Sequence, residues 1–428
     1  MRSARRFMPM AIAAAALFLV VMPAAVFGEE PKTEKDREPE PEAGKEKEAA
    51  ALPHADDVKT WEKACTFIKM FKFETLWYLH YRYGRQAIDS KDLEAGYEQY
   101  NTFNIGRGYL TMRVEPVKWF EGRITLDAHQ DESGDMKIRL KYLYGKFTVP
   151  FESKILTDPY LEFGIVHMPW LDYEEHVNWY RCQGTMLMER NKLFNSADFG
   201  ATFGMLLGEK LPDKYREEVN GKYPGTWGSL ALGVYNGGGY HAVEENSGKS
   251  FEARLSVRPL GFVFPNIQLS YFVIIGHGNV EGTDDYNPPK WRSHTAMASF
   301  EHKVLVLTGQ FVCGEGNQKG DFTTWDRAAD PDTGEESVIG IEDVHDYMGA
   351  SGFLEVKLPW IKSSLIGRYD WFEKEGKATQ RIISGYAFHF HELHKNFILL
   401  DVDYVIPDSS IEFAENYYEV KLTLQIKL

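Results

Sequence analysis

The feature that most constrains this chain is a repeated alternation of apolar and polar residues with a period of two. In the last twelve residues, one face carries Tyr418, Val420, Leu422, Leu424, Ile426 and Leu428. The segments 107–115, 137–144 and 251–258 alternate in the same way, and the second of them sets Ile138, Leu140, Tyr142 and Tyr144 against Lys137, Arg139 and Lys141. Because successive side chains of a strand point to opposite faces of a sheet, this pattern predicts β-strands.

Segments of this kind recur sixteen times, at 71–83, 103–115, 119–129, 137–148, 161–168, 199–206, 228–236, 251–258, 266–275, 293–302, 303–313, 349–358, 362–372, 380–391, 396–405 and 417–428. Most are close to the roughly 9 to 11 residues that a tilted strand needs to cross a bilayer, and the number is even. Tight joints alternate with long polar connections. The sequence therefore predicts an all-β fold, a transmembrane antiparallel barrel of 16 to 18 strands.

The connection from Leu207 to Trp227 breaks this rhythm, because it is long where a short turn is due. A missed pair of strands there would raise the strand number from sixteen to eighteen. A soluble sandwich or propeller would share the alternation. The aromatic residues favour the membrane barrel because they gather near strand ends, as in an interfacial girdle. They are Trp77, Tyr78, Trp119, Tyr142, Tyr144, Trp360, Trp371, Tyr417 and Tyr418.

The N-terminal 28 residues have the composition of a secretory signal peptide. Three arginines precede an apolar run from Met8 to Phe27, and small residues lie before Glu29. A retained membrane anchor is the alternative. Residues 29–60 are predicted to form an acidic periplasmic linker, with nine acids, five bases and three prolines between Glu29 and Ala50. Residues 61–428 form the predicted outer-membrane barrel.

Composition excludes several functional classes. The net charge of −15 argues against a nucleic-acid partner, which would require a basic surface. Three cysteines, Cys65, Cys182 and Cys313, cannot form a closed disulfide framework, although one pair could form. The segment from His389 to His394 reads HFHELH, which resembles a metal cluster but is not HExxH, and histidines at a strand end more often only form hydrogen bonds. We therefore predict no enzymatic activity and no cofactor.

Several short motifs resemble the phosphate-selective porin family. They are Gly164-Ile-Val-His-Met-Pro169-Trp, Glu174-Glu175, Tyr180, Glu189-Arg190, Asp198-Phe-Gly200 and Leu232-Gly-Val-Tyr-Asn236-Gly237. The unit around Val114 to Ile124 is echoed at Val356 to Ile366, and the resemblance spans most of the chain after Phe71. It implies a porin fold in which a strand is followed by an inward-folding loop. The chain departs from that pattern in its terminal Leu428 and in lacking a dense lysine cluster.

The segment from Pro169 to Asp198 joins the fifth and sixth predicted strands and is therefore the third external loop. Porins resembling this one place their constriction there. The constriction residues that we predict are Arg181, Glu189, Arg190 and Lys192, beside Asp172, Glu174 and Glu175. The alternative is that these charges only pair with one another on a solvated loop.

The polar faces of the early strands are mostly basic, and a basic pore wall favours anions. The pore-lining residues that we predict are Arg107, Arg113, Arg123, Lys137, Arg139 and Lys141. Opposed charges that simply keep the lumen wet are an equally good interpretation. The segment from Asp321 to Asp346 holds nine acids and one arginine, which predicts an acidic external mouth suited to cation bridges with lipopolysaccharide.

These observations predict an outer-membrane porin, a passive diffusion channel for small hydrophilic solutes, and anions in particular. The expected partners are outer-membrane lipid, lipopolysaccharide and the solutes, and the sequence leaves open a monomer or a homotrimer. An alternative from another class is a barrel that sheathes multihaem cytochromes in an electron-transfer conduit. A barrel hydrolase, the third class, would require a catalytic triad that spacing does not reveal.

Overall fold

The computed structural model describes residues 70–87, 96–131, 133–150, 153–283, 286–329 and 336–428. The strands are β1 (Phe71–Ala87), β2 (Tyr97–Val117), β3 (Phe120–Gln130), β4 (Met136–Thr148), β5 (Leu156–His167), β6 (Ala197–Leu207), β7 (Gly228–Tyr235), β8 (Ser250–Val257), β9 (Ile267–His277), β10 (Lys290–His302), β11 (Leu305–Glu315), β12 (Thr323–Ala329), β13 (Glu336–Val344), β14 (Asp346–Leu358), β15 (Ser363–Lys374), β16 (Lys377–His391), β17 (Asn396–Ile406) and β18 (Tyr417–Lys427). The helices are α1 (Pro169–Glu174), α2 (Leu187–Arg190) and α3 (Asp213–Glu218), and 3₁₀ turns lie at Arg181–Gln183 and Pro359–Ile361.

Sixteen strands form one closed antiparallel barrel, in which each strand pairs with its sequence neighbours and β1 closes the ring against β18. The hairpin of β12 and β13 lies outside this sheet, within the connection between β11 and β14. All sixteen predicted strands are confirmed. The connection from Leu207 to Trp227 adds no strand pair to the barrel. It contains α3 and one isolated bridge, between Lys210 and Gly225.

The two faces of the barrel differ as the alternation predicts. On β18, Lys421, Thr423 and Gln425 are buried in the interior, whereas Leu422 and Leu424 occupy the alternate, outward positions. Exposed apolar side chains on the other strands form an outward band. A soluble sandwich would instead bury its apolar faces. The outward band includes Leu110, Ile138, Leu143, Phe163, Phe199, Val234, Leu255, Leu269, Ile275, Leu307, Phe311, Leu354, Leu365, Ile382, Phe388 and Ile398.

A β-bulge in β4 shifts the alternation by one residue. Thr125 of β3 pairs with Tyr142 and the next residue, Leu126, pairs with Leu140, so Lys141 is the extra residue. Tyr142 and Tyr144 are consequently buried on the interior face, where Tyr142 stacks on the His167 ring. The prediction that they belong to an outer aromatic girdle is wrong.

The remaining girdle residues divide between the two faces. Tyr78 is also buried inside, so its assignment to the girdle is wrong as well. Trp77, Trp119 and Trp360 are exposed, as an interfacial position requires. The girdle therefore contains fewer residues than the sequence suggested.

The signal peptide, the acidic linker and Cys65 lie outside the described residues and stay predictions. Cys182 and Cys313 are both free thiols. Within the described ranges, no helix has the length and hydropathy needed to span a membrane.

Candidate pore constriction

The long connection between β5 and β6, residues 168–196, is here named the inner loop. It begins at α1, where Pro169 occupies the first helical turn and so has no N–H that would need a partner there. A 3₁₀ turn at Arg181–Gln183 and the short helix α2 follow. These short helices carry several large apolar side chains, among them Trp170, Leu187 and Met188.

Those apolar side chains are buried against the barrel wall. The Trp170 ring stacks on Phe272 of β9 with 5.4 Å between the ring centres. Leu187, Met188 and Leu193 have no exposed surface. A loop of this composition gains far more free energy by packing than by solvation, which explains why the segment does not extend into solvent.

Polar contacts attach the inner loop to strands all around the ring. The Tyr180 hydroxyl donates to Glu355 Oε1 of β14 at 2.7 Å. Arg368 of β15 donates to the Thr185 carbonyl at 3.1 Å, and Lys421 of β18 donates to the Gln183 carbonyl at 2.8 Å. Further contacts reach Arg254 of β8, Ser270 of β9 and Thr295 of β10. The inner loop is therefore hydrogen-bonded to six strands of the closed ring, β8, β9, β10, β14, β15 and β18.

The predicted constriction residues have different surroundings. Arg181 forms ion pairs with Glu175 and Glu189 of the same loop, and Arg107 Nη2 of β2 lies 4.0 Å from Glu189 Oε1. Although burial opposes ionisation, Arg181 and Arg107 hold the pKa of Glu189 below its ordinary value. The structure thus brings Arg181 and Glu189 together against the β2 wall.

The other two predicted constriction residues do not join this group. Arg190 Nη1 pairs with Asp370 Oδ2 of β15 at 2.9 Å and so fixes α2 to the wall. Lys192 is exposed, and its carbonyl accepts a hydrogen bond from Asn317. The expectation that the loop charges pair with one another therefore holds for Arg181 and not for Arg190.

The predicted pore-lining residues fall into three groups along the β2–β4 wall. Next to Arg107, Lys141 Nζ donates to the Tyr109 hydroxyl at 2.6 Å, and Arg139 pairs with Asp127 at 2.9 Å. Toward the end of the barrel where β1 begins, Arg113 pairs with Glu74 and Glu121, and Arg123 stacks over Tyr142. At the opposite end, Lys137 pairs with Asp131 at 2.5 Å.

The connection between β6 and β7, residues 208–227, is here named the inner connection. It meets the inner loop at Asp172, where Lys222 Nζ lies 3.0 Å from Oδ2 and the Tyr223 hydroxyl donates to the same oxygen. Asn220 adds a 2.8 Å hydrogen bond to the His176 carbonyl. Burial opposes ionisation of Asp172, yet Lys222 and His176 hold its pKa well below the usual value.

The HFHELH segment serves as a structural anchor. His394 Nε2 lies 2.7 Å from Glu355 Oε1, which also accepts a hydrogen bond from the Tyr180 hydroxyl. His389 Nε2 lies 3.1 Å from the Ser364 hydroxyl. The His394 ring stacks on Trp179 with an interplanar angle of 3°. Within the described part of the chain, no three His, Cys, Asp or Glu side chains form a group that could hold a metal.

Sequence reasoning missed the anchors of the inner loop on the barrel wall, Glu355, Arg368, Asp370 and Lys421, and the whole inner connection. One signal was present. The segment from Trp170 to Phe194 contains eleven large apolar residues, Trp170, Leu171, Tyr173, Val177, Trp179, Tyr180, Met186, Leu187, Met188, Leu193 and Phe194. A solvated loop would not carry so many, and their density indicates a packed segment.

Neither a family model nor a curated relative matches the sequence. Among solved structures, the anion-selective porin from Comamonas acidovorans aligns with a TM-score of 0.55 at 8% identity, over 84% of this chain and 99% of that one. OmpF of Salmonella typhi, in complex with daunomycin, gives 0.51 at 9% identity, over 83% and 97%. The trimer form of OmpT, an outer membrane protein of Vibrio cholerae, gives 0.50 at 9%, over 83% and 98%. The chain therefore has the fold of the outer-membrane porins.

Proposed function

We propose that this barrel is an outer-membrane diffusion channel for small hydrophilic solutes, and that it favours anions. The observation that supports the proposal is the set of contacts between the inner loop and the wall of the closed barrel, with Glu189 and Arg181 close to Arg107. A loop in that position would narrow the path through the barrel. Passive diffusion through such a path requires no catalytic group and no cofactor.

The preference for anions rests on the balance of charge at this narrow region. Four basic side chains lie at this region, against three acidic ones. The basic residues are Arg107, Arg139, Lys141 and Arg181, and the acidic residues are Asp127, Glu175 and Glu189. In a confined space with low-dielectric walls, the field of such a group is stronger than it would be in water. The similarity of fold to the anion-selective porin from Comamonas acidovorans agrees with a preference for anions. Membership of the phosphate-selective family stays a prediction.

Reversal potentials across a planar bilayer in a potassium chloride gradient test the proposal. We expect the wild-type channel to be more permeable to chloride than to potassium. Changing Arg107 and Arg139 to Gln together should shift the reversal potential toward the cation side, whereas Lys303→Gln in the exposed turn between β10 and β11 should leave it unchanged. A wild-type channel that prefers potassium would show that the acidic loops dominate.

The cytochrome-sheath alternative requires a wide, open lumen for a folded partner. Here the inner loop and the inner connection meet inside the barrel at Asp172. This occupied interior supports the diffusion channel over the sheath. Haem absorbance that co-purifies with the barrel would favour the sheath instead.

We infer that the channel assembles as a homotrimer, with outer-membrane lipid and lipopolysaccharide around it. The support is the likeness of fold to the trimer form of OmpT. The wide apolar band on the outer face gives room for both lipid and subunit contacts. Light scattering of the protein in detergent should give three chain masses per particle, and a mass of one chain would contradict the trimer.

A further inference from the structure

We propose that a cavity between the inner connection and the β2–β7 wall binds the carboxylate group of a small organic anion, with Arg123 as its main contact. The biological meaning of this site rests on the proposed channel function, since a bound solute would lie on the permeation path. The chemistry of the site does not depend on it.

The cavity has a volume of about 500 Å³ and is bounded by β2–β7, by α1 of the inner loop and by the inner connection. This is within the range of about 300 to 1,000 Å³ that small-molecule sites occupy. Six basic side chains line it, against four acidic ones. The basic residues are Arg113, Arg123, Lys146, Lys210, Arg216 and Lys222, and the last three come from the inner connection.

Five of these six cations already have a carboxylate partner. The pairs are Arg113 with Glu121, Lys146 with Glu162, Lys210 with Asp158, Arg216 with Asp213, and Lys222 with Asp172. Arg123 differs from them. In the ranges that the structure describes, no carboxylate oxygen lies within 4.0 Å of its guanidinium, although the group lines the cavity beside Lys146.

Neutral groups hold the Arg123 guanidinium in place. Nε donates to Thr125 Oγ1 at 3.0 Å, and Nη1 donates to His167 Nε2 at 2.9 Å. The guanidinium carbon lies 4.6 Å from the centre of the Tyr142 ring. These contacts fix the orientation of the group but do not compensate its charge. A fixed guanidinium fork is suited to bidentate binding of a carboxylate.

The charge and the walls of the site define the class of ligand. One uncompensated guanidinium matches a single negative charge, so a monoanionic carboxylate fits better than a doubly charged phosphate. Tyr160, with Lys146 Nζ placed 4.0 Å from its ring centre, offers an aromatic surface to the carbon skeleton. The inner connection, which is too long for a simple turn, closes this chamber on the side where β1 begins.

Titration calorimetry of the purified protein in detergent tests the site, with sodium gluconate as the probe and glucose as its uncharged counterpart. We expect gluconate to bind and glucose not to bind. Arg123→Gln should weaken gluconate binding at least about tenfold, and Arg123→Lys, which keeps the charge but loses the fork, should weaken it less. Lys210→Gln removes a paired cation from the same cavity and should change the affinity less than about threefold.

The site would be overturned if gluconate did not bind, or if glucose bound equally well. It would also be overturned if Arg123→Gln and Lys210→Gln lost the same affinity for gluconate. Tighter binding of inorganic phosphate than of gluconate would overturn the carboxylate class. The folded fraction of each variant is checked by circular dichroism, and Arg123→Lys keeps the test valid if the glutamine variant does not fold. Because calorimetry requires no current, gluconate binding in a barrel that prefers potassium would refute the proposed selectivity and leave the site intact.

Discussion

At the scale of single residues, the inner loop contains one carboxyl group whose protonation differs from that of its neighbours. Burial raises the pKa of Glu174 to about 8, against the opposing effect of Arg368. The Trp170 indole donates to Glu174 Oε2 at 3.0 Å. Asp172, two residues earlier on the same helix, is held ionised by Lys222. Two carboxyl groups of α1 are therefore in opposite protonation states at neutral pH.

This difference predicts a pH dependence. The folded state keeps the Glu174 proton up to about pH 8, whereas the unfolded state loses it near the ordinary value. Its contribution to stability is therefore complete at low pH and is lost as the pH rises from about 4.5 to 8. Glu174→Gln removes the titration and keeps the size, so its melting temperature in detergent should fall less than that of the wild type over this range. Identical slopes in the two proteins would contradict the assignment.

At the scale of elements, each strand separates an outer apolar face from an inner polar one. Leu422 lies at the middle of β18, where it pairs with Tyr81 of β1 and Leu400 of β17. Its neighbour Thr423 is fully buried inside and makes a 2.8 Å hydrogen bond with His80 Nδ1. The Thr423 side chain is thus packed against its neighbour on the inner face of the wall.

We therefore predict a strong asymmetry between these two neighbouring positions. Leu422→Arg places a charge against lipid and should cost about 2 to 4 kcal/mol if the residue lies near the midplane of the bilayer. Thr423→Val removes one hydrogen bond and should cost about 1 kcal/mol. Denaturant titration of the barrel in lipid vesicles measures both free energies of unfolding. Leu422→Met is the matched control, and a Leu422→Arg variant as stable as that control would place β18 away from lipid.

At the scale of the whole molecule, the barrel exists only when the ring is closed. The Thr75 N–H donates to the Leu428 carbonyl at 2.9 Å and the Leu428 N–H donates to the Thr75 carbonyl at 3.1 Å, which continues the β1–β18 pairing to the last residue. Without β18, the edges of β1 and β17 would expose unpaired backbone groups to lipid, at several kcal/mol for each group. Closure is therefore a property of the entire chain.

Two deletions distinguish the effect of losing the closing strand from the effect of shortening the chain. Removing residues 417–428 should abolish the protease-resistant barrel, since β18 is the strand that joins β1 to β17 among the described residues. Replacing residues 323–344 by a short Gly-Ser linker removes a longer piece, the hairpin outside the barrel, and should leave the barrel folded because Phe322 and His345 are already hydrogen-bonded at 3.0 Å. A folded barrel in the first case, shown by limited proteolysis and circular dichroism, would refute the closure.

The sequence determined the fold of the barrel because the side-chain period of a strand is local. Alternation within each of the sixteen segments predicted one strand. The outward positions of Leu110, Leu422 and Leu424 followed from the same alternation. Only the structure revealed the bulge at Lys141, since one extra residue in β4 has no signature in composition. That single residue moved Tyr142 and Tyr144 from the predicted membrane face to the interior.

The site depended far more on tertiary structure. The sequence pointed to the β5–β6 loop as the constriction, which stays a prediction. It could not show that Tyr180 meets Glu355 or that Arg190 meets Asp370, because such pairs join residues separated by more than 170 positions. Nor could it show that the inner connection, noticed only as an overlong turn, folds inward to Asp172. Alternation is decided by neighbours along the chain, whereas the partner of a buried charge is decided by how the closed ring brings distant strands to one interior.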